Sequence, residues 1–235
     1  MALVAEKINV NYGKSKVITD VSLTVVQGEK IALLGRNGVG KTTLLKGLMG
    51  VLPIDGNGSL AMDEINLTKK AAHLHNLAGI GYVPQGREII PDLTVKENIE
   101  LGGIGHREVD MKRQCEKVLN HFPALIPHLH RPGGVLSGGQ QQQLALARCL
   151  MGAPKVVLLD EPTEGIQPSI VFEIAGLINQ ISKEMGLSVI VVEQNLKFAR
   201  RVADKFLIMQ KGQIVCSGPI GELTDETGKK YLSVS

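Results

Sequence analysis

Eight consecutive residues, Gly35-Arg36-Asn37-Gly38-Val39-Gly40-Lys41-Thr42, combine three glycines with a closing lysine and hydroxyl. Glycines let a backbone curl until several N–H groups face one anion, without side chains competing for the space. If a helix begins where the glycines end, its N-terminus adds a positive dipole aimed at the same point. The chemistry this suits is phosphate binding. Lys41 would reach the β and γ phosphates of a nucleotide, Thr42 would give its hydroxyl to Mg²⁺, and Thr43 lies beside them. A second pair, Asp160-Glu161, offers two adjacent carboxylates. Asp160 suits the metal shell, and Glu161 is a candidate general base or water-orienting group for attack on the γ-phosphate.

Elements of definite kinds must deliver these groups. Ile31-Ala32-Leu33-Leu34 precedes the glycine loop and Thr43-Leu44-Leu45-Lys46 follows it, which gives the strand, loop and helix order that P-loop spacing requires. Val156-Val157-Leu158-Leu159 runs directly into Asp160, and Val189-Ile190-Val191-Val192 forms a third uninterrupted apolar run. Runs of this kind fit parallel strands buried on both faces, and open α/β sheets place their ligands at the carboxyl ends of such strands. Before them, Leu3 to Val26 alternates with period two, as antiparallel β structure does. Far more than one crossover helix lies between Leu34 and Val156, so something is inserted there. The stretch from about Gly86 to Gly152 carries helix-start signals, including Thr94-Val95-Lys96-Glu97 with capping-box spacing, and reads as a helical subdomain. Phe206 to Met209 and Gln213 to Cys216 flank Gln210-Lys211-Gly212 and predict a terminal hairpin. The polar segment Thr224 to Ser235 is either a docking helix or frayed.

Composition removes several classes. With 235 residues the chain can bury a full core, and no apolar run approaches bilayer length. No secretory signal pattern opens the sequence, which predicts a cytoplasmic protein. The formal charge is +3, its basic residues are scattered among acids, and aromatics are only 3% with no Trp, so neither a nucleic-acid stripe nor a base-stacking platform is expected. Cys115, Cys149 and Cys216 lack metal-ligand spacing and read as buried or indifferent thiols. His73-Leu74-His75 and His128-Leu129-His130 have no Cys or acid companions and read as solvent-facing histidines.

Leu136-Ser137-Gly138-Gly139-Gln140 is, physically, another helix start, with Ser137 and Gln140 at capping-box spacing and two glycines leaving N–H groups open to an anion. Its residues also match the signature motif of the ABC ATPases, and the order of motifs along nearly the whole chain resembles that family. The resemblance implies an α/β fold, the P-loop NTPase of ABC type, with a mainly parallel core sheet, an N-terminal antiparallel β subdomain and an inserted helical subdomain. It implies one nucleotide-binding domain over 1–235, with an ATP-binding core at 1–85 and 153–235 and the helical insert at roughly 86–152. Tyr12 matches the aromatic that stacks on adenine. Gln85, in Val83-Pro84-Gln85-Gly86, matches the glutamine that joins Mg²⁺ to the helical subdomain. Leu136 to Gln140 would contact ATP held by an opposite protomer, so two such domains bind two nucleotides head to tail.

Two positions depart from the family pattern. Gln194 stands where a switch histidine is expected, and Gln167 lies near the usual aspartate of the loop after the second carboxylate. Glutamine can donate to a γ-phosphate but carries no proton at neutral pH. Together with Val83 to Arg87 and Val192 to Asn195, these features resemble importer ATPases for urea or short amides, leaning on Asp160 to Ser169, or for branched-chain amino acids. The implied partners are a second, non-identical ABC ATPase, two membrane permease subunits and an extracytoplasmic solute-binding protein, with no nucleic acid. The chain would sit peripherally on the inner face of the plasma membrane, and by itself would be a monomer or homodimer. Thr94 to Asn98 is the expected contact with a membrane subunit. Rival readings are a non-transport ABC ATPase acting on DNA or ribosomes, and a regulatory module that binds ATP without useful hydrolysis.

Overall fold

The computed structural model describes residues 2–232. The N-terminal alternation folds as antiparallel strands: β1 (Ala2–Tyr12) pairs with β2 (Ser15–Val26), Leu3 opposite Val25 and Ala5 opposite Leu23. Two short strands that the alternation did not announce, β4 (Ser59–Met62) and β5 (Ile65–Asn66), extend this sheet in the order β2-β1-β4-β5.

The apolar runs form a second sheet. β3 (Lys30–Leu34), β7 (Val156–Asp160) and β8 (Ser188–Glu193) are parallel neighbours, and β9 (Lys205–Gln210) continues the parallel set beyond β3. β10 (Gln213–Pro219) returns antiparallel on β9 as the expected hairpin, and β6 (Ile80–Val83) closes the other edge in parallel with β7. The order is therefore β10-β9-β3-β8-β7-β6. Sequence reading passed over β6. It is only four residues long and contains Gly81, where a side chain would meet Cys149 Sγ at 2.6 Å.

Period-two geometry divides the apolar strands between two cores. Ile31, Leu33, Leu158 and Ile190 face the first sheet and helix α1 (Lys41–Leu48), whose Leu44, Leu45 and Leu48 are fully buried. Ala32, Leu34, Leu159 and Val191 face α5 (Gly138–Leu150), α6 (Pro168–Met185) and α7 (Leu196–Val202). Each buried Leu or Ile contributes about 1.5–3 kcal/mol, so the central strands are held from both sides and their carboxyl ends are fixed platforms.

Between α1 and β6 lies the short helix α2 (Ala72–Leu77). His75 on it is buried, contrary to the solvent-facing reading, because Nδ1 and Nε2 lie 2.9 and 3.2 Å from the carbonyls of Leu48 and Lys70. His128 is half-buried against Arg131 and Gln140, whereas His73 and His130 are exposed. Between β6 and β7 come α3 (Val95–Leu101), α4 (Met111–His121), 3₁₀ turns at Pro123–His128 and Gly133–Val135, and α5. The Thr94 capping box forms, Thr94 Oγ1 accepting from the Glu97 N–H while Glu97 Oε2 accepts from the Thr94 N–H.

The same segment corrects an expectation. Val95 and Asn98 are fully buried and cannot be surface contacts. The Asn98 amide accepts from the Ile90 N–H and donates to the carbonyls of Ile90, Leu93 and Thr94, tying down the loop before α3. Only Lys96 and Glu97 of this stretch are exposed.

After β10, a 3₁₀ turn at Ile220–Glu222 leads to α8 (Asp225–Leu232), which docks on its own chain: Arg200 reaches the Leu223 carbonyl and Asp225, and Gln210 reaches the Tyr231 carbonyl. The remainder of the expected terminal segment, 233–235, lies outside the described residues. Among the described residues no helix is long and apolar enough to cross a membrane.

Candidate functional site

Four adjacent parallel strands end at one cleft. β3 delivers Gly35 to Lys41, β7 delivers Asp160 and Glu161, β8 delivers Glu193 and Gln194, and β6 delivers Gln85. The cleft measures about 310 Å³ and is walled by Asn37, Gly38, Gly40, Lys41, Thr42, Thr43, Gln85 and Glu161, with Val17 of β2 on its rim. Gly40 is the N-cap of α1 at φ 108°, a conformation that only glycine enters without strain, and so turns the chain into the helix with its N–H groups towards the cleft. A Cβ there would also strike Ile18 at 2.8 Å, so the β1/β2 hairpin braces the loop from behind.

The charged groups are already oriented on each other. Lys41 is buried, donates to the carbonyls of Gly35 (2.9 Å) and Arg36 (3.0 Å), and stands 3.4 Å from Glu161 Oε1. Thr42 Oγ1 donates to Asp160 Oδ1 at 3.1 Å, and the Tyr82 hydroxyl donates to Asp160 Oδ2 at 3.3 Å. Burial pushes the Asp160 carboxyl above the ordinary carboxylate range, although these two hydrogen bonds pull the other way. Burial, with the Asp160 charge beside it, likewise raises Tyr82 well above a free phenol.

Glu161 has a left-handed backbone, φ 46°, and its N–H donates to the Val192 carbonyl. That costly conformation brings its carboxylate to Lys41 and to Gln194. Gln194 Nε2 donates to both Asn37 Oδ1 (2.7 Å) and Glu161 Oε1 (3.2 Å), so one neutral amide spans the glycine loop and the second carboxylate. Gln85 Nε2 donates to Glu164 Oε2 at 3.0 Å. Gln167 is the N-cap of α6 and makes no capping hydrogen bond with its side chain.

The side-chain hydroxyl of Thr42, the carboxylate of Asp160 and the side-chain amide oxygen of Gln85 form an oxygen-only donor set. Such hard donors, few in number and beside a phosphate cradle, fit Mg²⁺, which keeps phosphate and water oxygens in its remaining positions. Val39 supports the loop from outside the cleft, its carbonyl accepting from the Gly212 N–H in the β9/β10 turn. Tyr12 stands at the hairpin tip, 49% exposed and not on the cleft wall, where a planar group could stack on it from outside.

The signature residues are built separately. Ser137 caps α5, its Oγ accepting from the Gln140 N–H while Gln140 Oε1 accepts from the Ser137 N–H. None of Leu136 to Gln140 lines the cleft. Gly139 has a second reason for being glycine that spacing did not reveal: a Cβ would meet Ile170 Cγ2 on α6 at 2.5 Å.

Sequence reading missed Tyr82, Arg87, Glu164 and Glu193. Arg87 donates to the Glu164 carbonyl (2.9 Å) and to Gln141 on α5 (3.3 Å), joining the Gln85 loop to the signature helix. Glu193 was signalled only as an acid ending an apolar strand.

The ABC transporter family model matches residues 18–164, a span that includes the glycine loop, the signature and both carboxylates. The chain belongs to the ABC transporter family. It is 39% identical over 210 residues to the high-affinity branched-chain amino acid transport ATP-binding protein BraG of Pseudomonas aeruginosa, covering 89% of each chain. It is 30% identical over 219 residues to the probable branched-chain amino acid transport ATP-binding protein LivF of Archaeoglobus fulgidus, covering 93% of this chain and 92% of LivF. Among solved structures, the ADP conformation of an ATP-binding cassette of an ABC transporter superposes with a TM-score of 0.84 at 27% identity, covering 98% and 94%. The expected fold class is therefore the observed one, and this ABC chain is an ATPase of the kind that powers transport.

Proposed function

We propose that this chain energises import of branched-chain amino acids, pairing with a second, non-identical ATPase on the cytoplasmic face of two permease subunits fed by an extracytoplasmic solute-binding protein. The observation that carries the solute class is the similarity to BraG and LivF, both named for branched-chain amino acid transport. It favours that alternative over urea or short amides, which rested on Asp160 to Ser169.

The residues divide the work of hydrolysis. Backbone N–H groups from Gly35 to Thr43 bind the phosphates, and Lys41 supplies the cation for the β and γ groups. Thr42, Asp160 and Gln85 are the residues that would hold Mg²⁺. When bound, the ion neutralises charge on the phosphate oxygens. Glu161 orients a water whose oxygen bonds to the γ-phosphorus as the bond to the bridging oxygen breaks, releasing ADP and phosphate. Gln194 holds Glu161 against Asn37 without itself exchanging a proton. Leu136 to Gln140 serve the nucleotide of the opposite protomer, and Tyr12 stacks on the adenine. Closure around two nucleotides moves the helical segment 86–152, and the attached membrane subunits switch access.

The test is transport. Reconstituted in proteoliposomes with a partner ATPase, permease subunits and a solute-binding protein of a branched-chain importer from the same organism, the chain should hydrolyse ATP faster when leucine, isoleucine or valine is supplied. Stimulation by urea or acetamide, with none by leucine, would replace the branched-chain reading.

A further inference from the structure

Glu193 ends β8 as a carboxylate only 3% exposed, in a position that a hydrophobic strand has no packing reason to give to a charge. A buried carboxylate persists only if it is hydrogen-bonded, and this one accepts from two separate loops. Oε1 receives the Thr163 hydroxyl at 2.6 Å and the Thr163 N–H at 3.3 Å. Oε2 receives the N–H groups of Gln194 at 3.1 Å and Asn195 at 3.2 Å. Thr163 lies two residues beyond Glu161, and Gln194 is the residue that touches Glu161. Glu164, next to Thr163, receives Gln85. One carboxylate thus fixes the spacing between the loop that carries Glu161 and the loop that carries Gln194.

We propose that Glu193 is a positioning residue for ATP hydrolysis, holding the loops after β7 and β8 in register so that Glu161 and Gln194 meet at the γ-phosphate position. The inference rests on the water-orienting role given above to Glu161. Burial raises the Glu193 carboxyl above its ordinary range, with its four hydrogen bonds opposing, so the carboxylate is retained against a cost that a purely structural position could avoid with an apolar residue. Geometry makes the substitution pattern specific. Glu193→Gln keeps an oxygen for Thr163 but places an NH₂ towards two N–H donors. Thr163→Val removes only the hydroxyl contact.

The test uses the full chain. By hydrogen exchange, Glu193→Gln should quicken the amides of both Thr163 to Gln167 and Gln194 to Phe198, with Mg²⁺-ATP affinity within about twofold of the parent and turnover reduced on the order of tenfold to a hundredfold. Thr163→Val should lower turnover in the same direction, and the double variant should lose less than the two single losses combined, because both cut one connection. If exchange rises only at Gln194 and Asn195, or if Thr163→Val and Glu193→Gln both turn over within twofold of the parent, the proposal fails. A drop in melting temperature with turnover per folded molecule unchanged assigns Glu193 a purely structural role and also overturns it. Glu161→Gln is the separate control: if that variant hydrolyses ATP like the parent, the water-orienting reading is lost whatever Glu193 does.

Discussion

The cleft at the strand ends and the start of α5, the two regions proposed to meet phosphate, are made of different material. In the cleft, side chains carry the charge: Lys41, Glu161 and the Gln194 amide are linked within 3.4 Å, and beside them Thr42 donates to Asp160 at 3.1 Å. At α5 the capping box satisfies Ser137 and Gln140 against each other, and the helix N-terminus is left with half-buried Gly138 beside it while Gly139 packs on Ile170. The α5 start stands apart from the cleft, since no signature residue lines it. On the proposed function the two regions serve two different nucleotides, so damage to each should fall on a different one.

The largest expected effect breaks the cleft alone. Lys41→Ala should weaken ATP binding to the isolated chain on the order of a hundredfold, because it leaves phosphate charge unpaired; titration of Mg²⁺-ATP measures it. If binding persists, the cleft is not the principal nucleotide site.

The next effect separates function from stability within the cleft. Asp160 is raised by burial, so the fold holds its proton more tightly than the unfolded chain does. Its contribution to stability is therefore fully present below the unfolded value and lost as pH rises through the raised one, leaving an ionised buried carboxylate as a net cost at neutral pH. Asp160→Asn should melt a few degrees higher than the parent at pH 7, with the gap narrowing towards acid pH, while Mg²⁺ no longer strengthens nucleotide binding. Thermal melts across pH without nucleotide, and ATP titrations with and without Mg²⁺, check the two halves. A lower melting temperature for the variant would reverse the assignment of Asp160 as a site residue that costs stability.

The smallest effect probes the neutral bridge. Gln194→His puts a titratable ring between Asn37 and Glu161, so turnover should acquire a pH dependence near about 6.5 that the parent lacks. A parent profile with the same inflection would mean that Gln194 does not set it.

How far these regions were legible in the sequence follows from how local their interactions are. The glycine loop and both capping boxes are determined within eight residues, and the composition of each short segment announced them. The parallel strands were legible because burial on both faces leaves no polar interruption. β6 was not, since a four-residue strand with a glycine pressed on Cys149 has no periodicity to read. Val95 and Asn98 looked like surface on a capped helix, but Asn98 is spent on the loop before it. His75 could not be placed because its two carbonyl partners belong to other elements. The Glu193 connection was illegible for the same reason: Thr163 is 30 residues away, and only the parallel pairing of β7 and β8 makes the two neighbours.

The most direct measurement concerns Gly138. Its Cβ would have ordinary contact with Arg87 at 3.5 Å, so Gly138→Asp fits the fold, yet it places a carboxylate at the helix N-terminus that would face the opposing nucleotide. The isolated full chain carrying Gly138→Asp should bind Mg²⁺-ATP within about twofold of the parent, while turnover in the assembled transporter should fall on the order of a hundredfold. Loss of binding in the isolated chain, or unchanged turnover in the assembly, would contradict the division into a site for its own nucleotide and a cover for its partner's.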